Sequence, residues 1–318
     1  MFKIFSLITV LLIAFGIGSN DSCNALGISI GAGVIRFKKA IFLFGILVLA
    51  GITLNGNTVM ETVGKNIVKL PLPVVCLAMS VSAILIILSN WKKLPLSTHQ
   101  VIIGSLIGAG IAYGATINLF SIQKILLAWL TSPLISGFIG YFFYKFMEKC
   151  LTGFAFFKIE KLLRIFLILS ASLISFNTGA NELATVVGPV AFSSQFSNIF
   201  YFYLLGSFST FLGAFILSHK VIETIGKGII SMDPLSGFSA QFSAGLCVML
   251  FTWLGFPVST TYCIIGAISG TGLTKGVQTV KISLLKKIIL NWFLSFTFSI
   301  LSSYFLTYLF FNFILTLK

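Results

Sequence analysis

Ser19-Asn20-Asp21-Ser22-Cys23-Asn24-Ala25 and Gly179-Ala180-Asn181-Glu182-Leu183-Ala184-Thr185 are two polar stretches set inside long apolar runs. In each, an acid follows an asparagine, and an amide or hydroxyl side chain stands three residues beyond the acid. A charge at the centre of a transmembrane helix costs roughly 2.5–3.5 kcal/mol on insertion scales, so carboxylates placed there point to an ion site. The plainer reading, a hydrogen bond holding a broken helix together, has to explain the same arrangement twice.

Working outward, 57% of the chain is hydrophobic and 9% charged, and apolar runs of membrane-spanning length recur along it. The 34 phenylalanines and the lack of strand-like polar alternation favour a helical bundle over an outer-membrane barrel. The formal net charge of +14 lies in short breaks between apolar runs, where it reads as a topology signal rather than a nucleic-acid surface. Cys23, Cys76, Cys150, Cys247 and Cys263 are scattered without metal or redox spacing and read as small thiols, four of them in apolar stretches. Residues 2–18 have the look of a signal peptide. An equivalent run at 162–178 precedes the second polar stretch, so the first is read as mature structure.

The apolar segments number five and five: near 4–35, 40–60, 71–91, 97–118 and 124–146, then 162–195, 198–218, 235–255, 258–274 and 286–316. The expected domains are a first repeat at 1–146, a cytoplasmic connecting loop at 147–161 and a second repeat at 162–318. Asn20-Asp21 lies 161 residues before Asn181-Glu182, and Glu61-Thr62-Val63-Gly64-Lys65 lies 162 before Glu223-Thr224-Ile225-Gly226-Lys227. The same offset of 162 joins Pro95-Leu96-Ser97-Thr98 to Pro257-Val258-Ser259-Thr260, and Gly104, Gly108 and Gly110 to Gly266, Gly270 and Gly272. Blocks in one register mark an internal duplication.

Charge orients the halves. Arg36, Lys38, Lys39, Lys92 and Lys93 fill breaks whose second-half equivalents are uncharged, while Lys275, Lys281, Lys286 and Lys287 crowd a break that holds only Lys124 in the first half. With both termini outside and ten crossings, sixteen basic residues face the cytoplasm and five (Lys3, Lys65, Lys69, Lys124 and Lys318) face out. An odd number of crossings per repeat makes the copies antiparallel. The expected fold is therefore an all-α polytopic membrane protein of two inverted-topology repeats, about five transmembrane segments each, with broken or re-entrant helices and a substrate site near the midplane.

Of seven acids, four form two repeat-related pairs: Asp21 with Glu182, and Glu61 with Glu223. Oxygen ligands three residues apart on a partly unwound turn, Asp21 with Asn24 and Glu182 with Thr185, suit a hard cation such as Na⁺, and a proton carrier is the other reading. Glu61 and Glu223 stand beside lysines at the ends of apolar runs and also read as interfacial charges. Pro95-Leu96-Ser97-Thr98-His99 and Pro257-Val258-Ser259-Thr260-Thr261 each open a Gly-spaced apolar helix; the hydroxyls and exposed N–H groups of such a start make either an ordinary cap or an anion site. The glycines let neighbouring helices approach closely. His99 is placed to touch substrate or carry a proton, and His219 reads as a loop residue. No catalytic triad, zinc set or cofactor motif is present, which argues against an enzyme.

At these residues the chain resembles the inorganic phosphate transporter (PiT) family of sodium- or proton-coupled permeases, which carries a GANDxANA-type signature and a P-[VL]-S-[ST]-T-H-type segment in each half. The resemblance implies a homodimer in the cell membrane, an oxyanion substrate and no cofactor beyond Na⁺ or H⁺ as coupling ion. It implies cation-site roles for Asn20, Asp21, Asn24, Asn181, Glu182 and Thr185, with Na⁺ at Asp21, Asn24, Asn181 and Glu182. It implies anion contacts at Ser97, Thr98, Ser259, Thr260 and Thr261, and transport-essential acids at Glu61 and Glu223. Ser19, Glu182, Thr185 and Thr261 depart from the family pattern; the changes at 182 and 185 touch presumed ion ligands and bring H⁺ coupling forward. The expected function is phosphate symport with Na⁺ or H⁺, with a sulfate or related oxyanion permease as the alternative. An anion channel or a structural membrane subunit would leave the paired intramembrane acids unexplained.

Overall fold

The computed structural model describes residues 2–92, 97–153, 156–193, 198–229, 233–276 and 282–316, side chains at 92, 156–157, 220–229, 282–289 and 313–316 excepted. These residues form twelve α-helices and two π-helical turns. The first half contains α1 (Phe2–Gly31), α2 (Phe37–Asn55), α3 (Asn57–Glu61), a π turn at Thr62–Asn66, α4 (Leu72–Lys92), α5 (Thr98–Tyr113) and α6 (Leu119–Leu151). The second contains α7 (Phe156–Asn177), a π turn at Thr178–Leu183, α8 (Ala184–Ser193), α9 (Phe200–Ile229), α10 (Pro234–Trp253), α11 (Thr260–Leu273) and α12 (Ile282–Thr316). Shifted by the sequence offset, α1 matches α7 through α8, α2 with α3 matches α9, and α4, α5 and α6 match α10, α11 and α12.

Seven helices (α1, α2, α4, α6, α9, α10 and α12) contain stretches long and apolar enough to cross a bilayer, so the protein is a multi-pass membrane protein. Their outer faces carry exposed Leu, Ile and Phe, as lipid contact demands. The sixteen-residue α5 and fourteen-residue α11 reach only about 24 and 21 Å at 1.5 Å per residue. Neither spans the roughly 30 Å hydrocarbon core alone, as the expectation of broken or re-entrant helices allowed. Extended backbone completes the path of α5: Ile117 bridges to Val68, and the Asn118 amide donates to the Ile67 carbonyl beside the start of α4.

The inversion of the repeats is visible in which residues meet. The Phe37 ring lies 4.8 Å from that of His219, and Phe42 lies 5.7 Å from Phe211. Thus α2 and α9, which occupy the same place in the two repeats, run in opposite directions. The close approaches obey the same two-fold exchange. A Cβ at Gly18 would overlap the carbonyl oxygen of Thr210, and one at its counterpart Gly179 would overlap that of Val48, the counterpart of Thr210. Gly213 meets Phe15 as Gly51 meets Phe176, and Gly266 and Gly270 meet the α6 backbone at Pro133 and Gly137 as Gly104 and Gly108 meet α12 at Phe296 and Ile300. Small residues here let main chain touch main chain.

Three local expectations change. α1 stays α-helical through Asp21, whereas the second copy passes through the π turn, so only one of the two signature helices is interrupted. The 147–161 connection is mostly helical: α6 runs on to Leu151 and α7 starts at Phe156, because polar residues extend both helices beyond their apolar parts, with Glu160 paired to Arg164 one turn on. Thr152 and Gly153 make the turn, with Gly153 at φ +94. His219 belongs to α9 rather than to a loop, because that helix continues to Ile229.

Candidate functional site

Asp21 and Glu182 come together at the centre of the bundle, one from each repeat. Both are buried, at 4% and 3% exposure, and their carboxyl groups are near enough to act on each other electrostatically. Among the described residues no Lys or Arg pairs with either; the ion pairs there join Arg164 to Glu160 and Lys275 to Asp233. Asn24 reaches Asp21 Oδ1 at 3.1 Å and the Thr261 hydroxyl at 2.7 Å through its Nδ2, tying α1 to the start of α11. Asp21 Oδ2 is buried with no hydrogen-bond donor among the described residues. Two negative charges near each other in a low-dielectric interior repel strongly, and a cation or a proton between them removes the conflict.

Asn181 does something else. Its Oδ1 accepts from the Val258 amide at 3.1 Å and meets His99 Nε2 at 2.8 Å. Its Nδ2 donates to Thr252 Oγ1 at 2.7 Å and to the Phe256 carbonyl at 3.0 Å. That uses both lone pairs and both N–H groups of the amide. Asn181 therefore staples the 252–258 corner, which leads into α11, to the start of α5. Its repeat counterpart Asn20 is exposed. Thr185 turns its hydroxyl back onto the Asn181 carbonyl at 2.8 Å, bracing the π turn rather than pointing into open space.

The starts of α5 and α11 flank the acids. Ser97 and Ser259 occupy the two N-cap positions in extended backbone, but neither side chain makes the capping bond. Ser97, Thr98, His99, Ser259 and Thr260 are buried, Thr261 is partly buried, and Thr260 Oγ1 has no partner among the described residues. First-turn N–H groups at a helix start carry partial positive charge and suit an anion. The crossing of partners matters: His99 of the first repeat joins Asn181 of the second, and Thr261 of the second joins Asn24 of the first. Each of these two helix starts is thus held by the signature segment of the other repeat.

Glu61 is exposed at the end of α3. Glu223 lies on α9, but its side chain is outside the described residues, as are Pro95 and Leu96. Four cysteines are buried, Cys150 is exposed, and all five are free thiols. Sequence reading missed Trp129, whose Nε1 donates to the Pro257 carbonyl at 2.7 Å. It also missed Asn90 and Thr252, which are repeat partners: Asn90 bonds the Gly16 carbonyl and Ser19 of α1, and Thr252 receives Asn181. Their shared offset of 162 was the signal available.

Ten matched helical segments in two inverted repeats, with a buried acid from each repeat meeting between two helix starts, define a membrane transporter built on the inverted-repeat plan. Comparison with known proteins agrees. The family model "Phosphate transporter family" matches residues 17–158 and again 154–303, once per repeat. A Methanocaldococcus jannaschii protein provisionally named phosphate permease is 37% identical over 278 residues, covering 87% of this chain and 88% of its own. One from Pyrococcus furiosus, with the same provisional name, is 26% identical over 379 aligned residues, covering 91% and 92%. A solved structure described as "The sodium-dependent phosphate transporter" superposes with a TM-score of 0.85 over 97% of this chain and 98% of that one; at 24% identity it speaks for the fold. The chain belongs to the phosphate transporter family, whose members are transporters rather than enzymes.

Proposed function

We propose that the protein is a secondary active symporter that carries inorganic phosphate with Na⁺ or H⁺, works as a homodimer, and has both termini outside the cell membrane. The observation that carries this reading is the burial of Asp21 and Glu182 near each other with no cationic side chain paired to either among the described residues. An anion entering beside two carboxylates meets repulsion until cations or protons neutralise them, so cation binding precedes anion binding. Asp21, Glu182 and Asn24 then hold the coupling ion, Asn181 and Thr185 brace the turn that presents Glu182, and Asn20 remains at the margin. The anion lies between the starts of α5 and α11, against Ser97, Thr98, Ser259, Thr260 and Thr261.

Phosphate is favoured over sulfate by the acceptors. At neutral pH phosphate still donates hydrogen bonds, and the buried Asp21 Oδ2 and Thr260 Oγ1 offer places to receive them; sulfate has no proton to give, and a buried acceptor left unpaired discriminates strongly. The sodium dependence of the structurally similar transporter supports Na⁺ as one coupling ion to test, and Glu182 in place of the family aspartate supports H⁺ as the other. The test is uptake of labelled phosphate into proteoliposomes under an imposed Na⁺ gradient, then a pH gradient, with excess sulfate as competitor. Uphill uptake that resists sulfate is expected under one of the gradients. Phosphate affinity that ignores both Na⁺ and proton concentration would remove the coupling, and sulfate uptake in place of phosphate would overturn the substrate.

A further inference from the structure

Away from the central site, α6, α11 and α12 enclose an apolar cleft of about 520 Å³, bordered by Leu134, Phe138 and Phe142 of α6, Tyr262 and Leu273 of α11, and Trp292 of α12. Its α6 wall runs from Leu130 to Phe142, about 18 Å at 1.5 Å per residue. One leaflet of a bilayer contributes about 15 Å of hydrocarbon, so the cleft has the length of a single acyl chain.

Its end is charged. The α6 ridge of Gly137 and Tyr141 that lines the cleft continues, at four-residue spacing, into the exposed Lys145 and Lys149. Lys145 Nζ lies 5.0 Å from the centre of the Tyr141 ring. From α11, Lys275 follows Leu273 by two residues and stands 5.9 Å from the Tyr144 ring. Lys275 is paired with Asp233, and Glu148 neighbours Lys145, so three lysines face two acids and the balance is positive. We propose that the cleft holds one acyl chain of an anionic phospholipid, with its headgroup phosphate held at Lys145 and Lys149. The match of length, apolar lining and terminal charge selects this occupant over a zwitterionic lipid. The proposal does not depend on which anion the protein transports.

The test is native mass spectrometry of the full chain, exchanged into equal amounts of phosphatidylglycerol and phosphatidylcholine. The wild type is expected to retain phosphatidylglycerol over phosphatidylcholine by roughly 25-fold, and the double variant Lys145→Gln/Lys149→Gln to bring that ratio close to one, each lysine contributing about fivefold. Filling the cleft with Ser269→Phe, or from the opposite wall with Leu134→Trp, is expected to remove the retained lipid; either variant that elutes as folded protein suffices. A photo-reactive benzoylphenylalanine replacing Phe138 is expected to gain the mass of one phospholipid on irradiation. Equal retention of the two lipids, a ratio unmoved by the lysine changes, or a photo-cross-link from position 138 to a second copy of the chain would each overturn the proposal.

Discussion

Removing the Asn181 side chain should loosen the site more than removing either carboxylate charge. Asn181→Ala leaves the Val258 amide, the Phe256 carbonyl and His99 Nε2 without the partner they have now. Thr252 keeps its bond to the Val248 carbonyl at 2.7 Å and loses little. Each buried polar group stranded this way costs about 1–3 kcal/mol; three of them, with some recovery from water entering the gap, come to about 3–5 kcal/mol. Set against a total stability on the order of 5–15 kcal/mol, and at about 2–4 °C per kcal/mol, the apparent melting temperature should fall by about 10 °C. Thr252→Val removes one of the four bonds and should lower it by only about 2–4 °C. Size-exclusion thermostability of detergent-purified protein measures both. Because the corner Asn181 holds leads directly into α11, Asn181→Ala should also weaken phosphate binding, whereas Thr252→Val should leave it near normal. If Asn181→Ala melts within about 2 °C of the wild type, or no lower than Thr252→Val, the stapling role is wrong.

Asp21→Asn and Glu182→Gln keep size and hydrogen-bonding capacity, so each should yield folded protein that has lost more than tenfold of its gradient-driven phosphate uptake and most of its dependence on the coupling ion; unchanged uphill uptake would end the coupling role of that acid. Gly18→Ala and Gly179→Ala push a methyl group into a facing backbone carbonyl, and each should cost about 1–3 kcal/mol, the pair matching within about 1 kcal/mol; a cost at one position only would contradict the two-fold exchange. Asp233 caps α10 by accepting from the Ser236 amide at 2.9 Å; partial burial works to raise its carboxyl, but hydrogen bonds from Lys275 and Ser236 outweigh that and hold it below its ordinary 3.8. Its stabilisation is thus present above that value and lost as pH falls through the lower folded value: Asp233→Ala should cost about 0.5–2 kcal/mol at neutral pH, and the gap from wild type should close as acid is added below about pH 4. Cys150 is the exposed thiol at the end of α6, so a membrane-impermeant maleimide should label it only after cells are opened; labelling of intact cells would reverse the proposed orientation.

The repeat, its inversion and the central acids were legible because each rests on a one-dimensional signal: apolar run length, a constant offset, and the alternation of lysine-rich and lysine-free breaks. What the offset could not convey is which segment closes over each copy. Asn20 and Asn181 hold the same motif position, yet one is exposed and the other spends its whole amide on the 252–258 corner and His99. Periodicity reports the helix a residue sits on, not the loop from the other repeat that will meet it. For the same reason the continuity of α1 and the π turn of its counterpart were invisible, since both segments read alike as apolar runs broken by a polar stretch. Glu61 drew attention through its pairing with Glu223; the fold leaves Glu61 exposed at the end of α3, a placement that the repeat offset alone did not convey.

At Gly18 and Gly213, and again at Gly179 and Gly51, no side chain stands between the crossing helices. Interlocked side chains act as gear teeth, and turning one helix against another means lifting each tooth out of its notch. Bare main chain offers a smooth bearing instead, and here there are two bearings, one the image of the other. By the two-fold exchange, a tilt about the first in one sense would have its counterpart in a tilt about the second in the opposite sense, and the two would use equivalent contacts. Under the proposed symport, an ion gradient would then have only to tip a balance between two such equivalent arrangements.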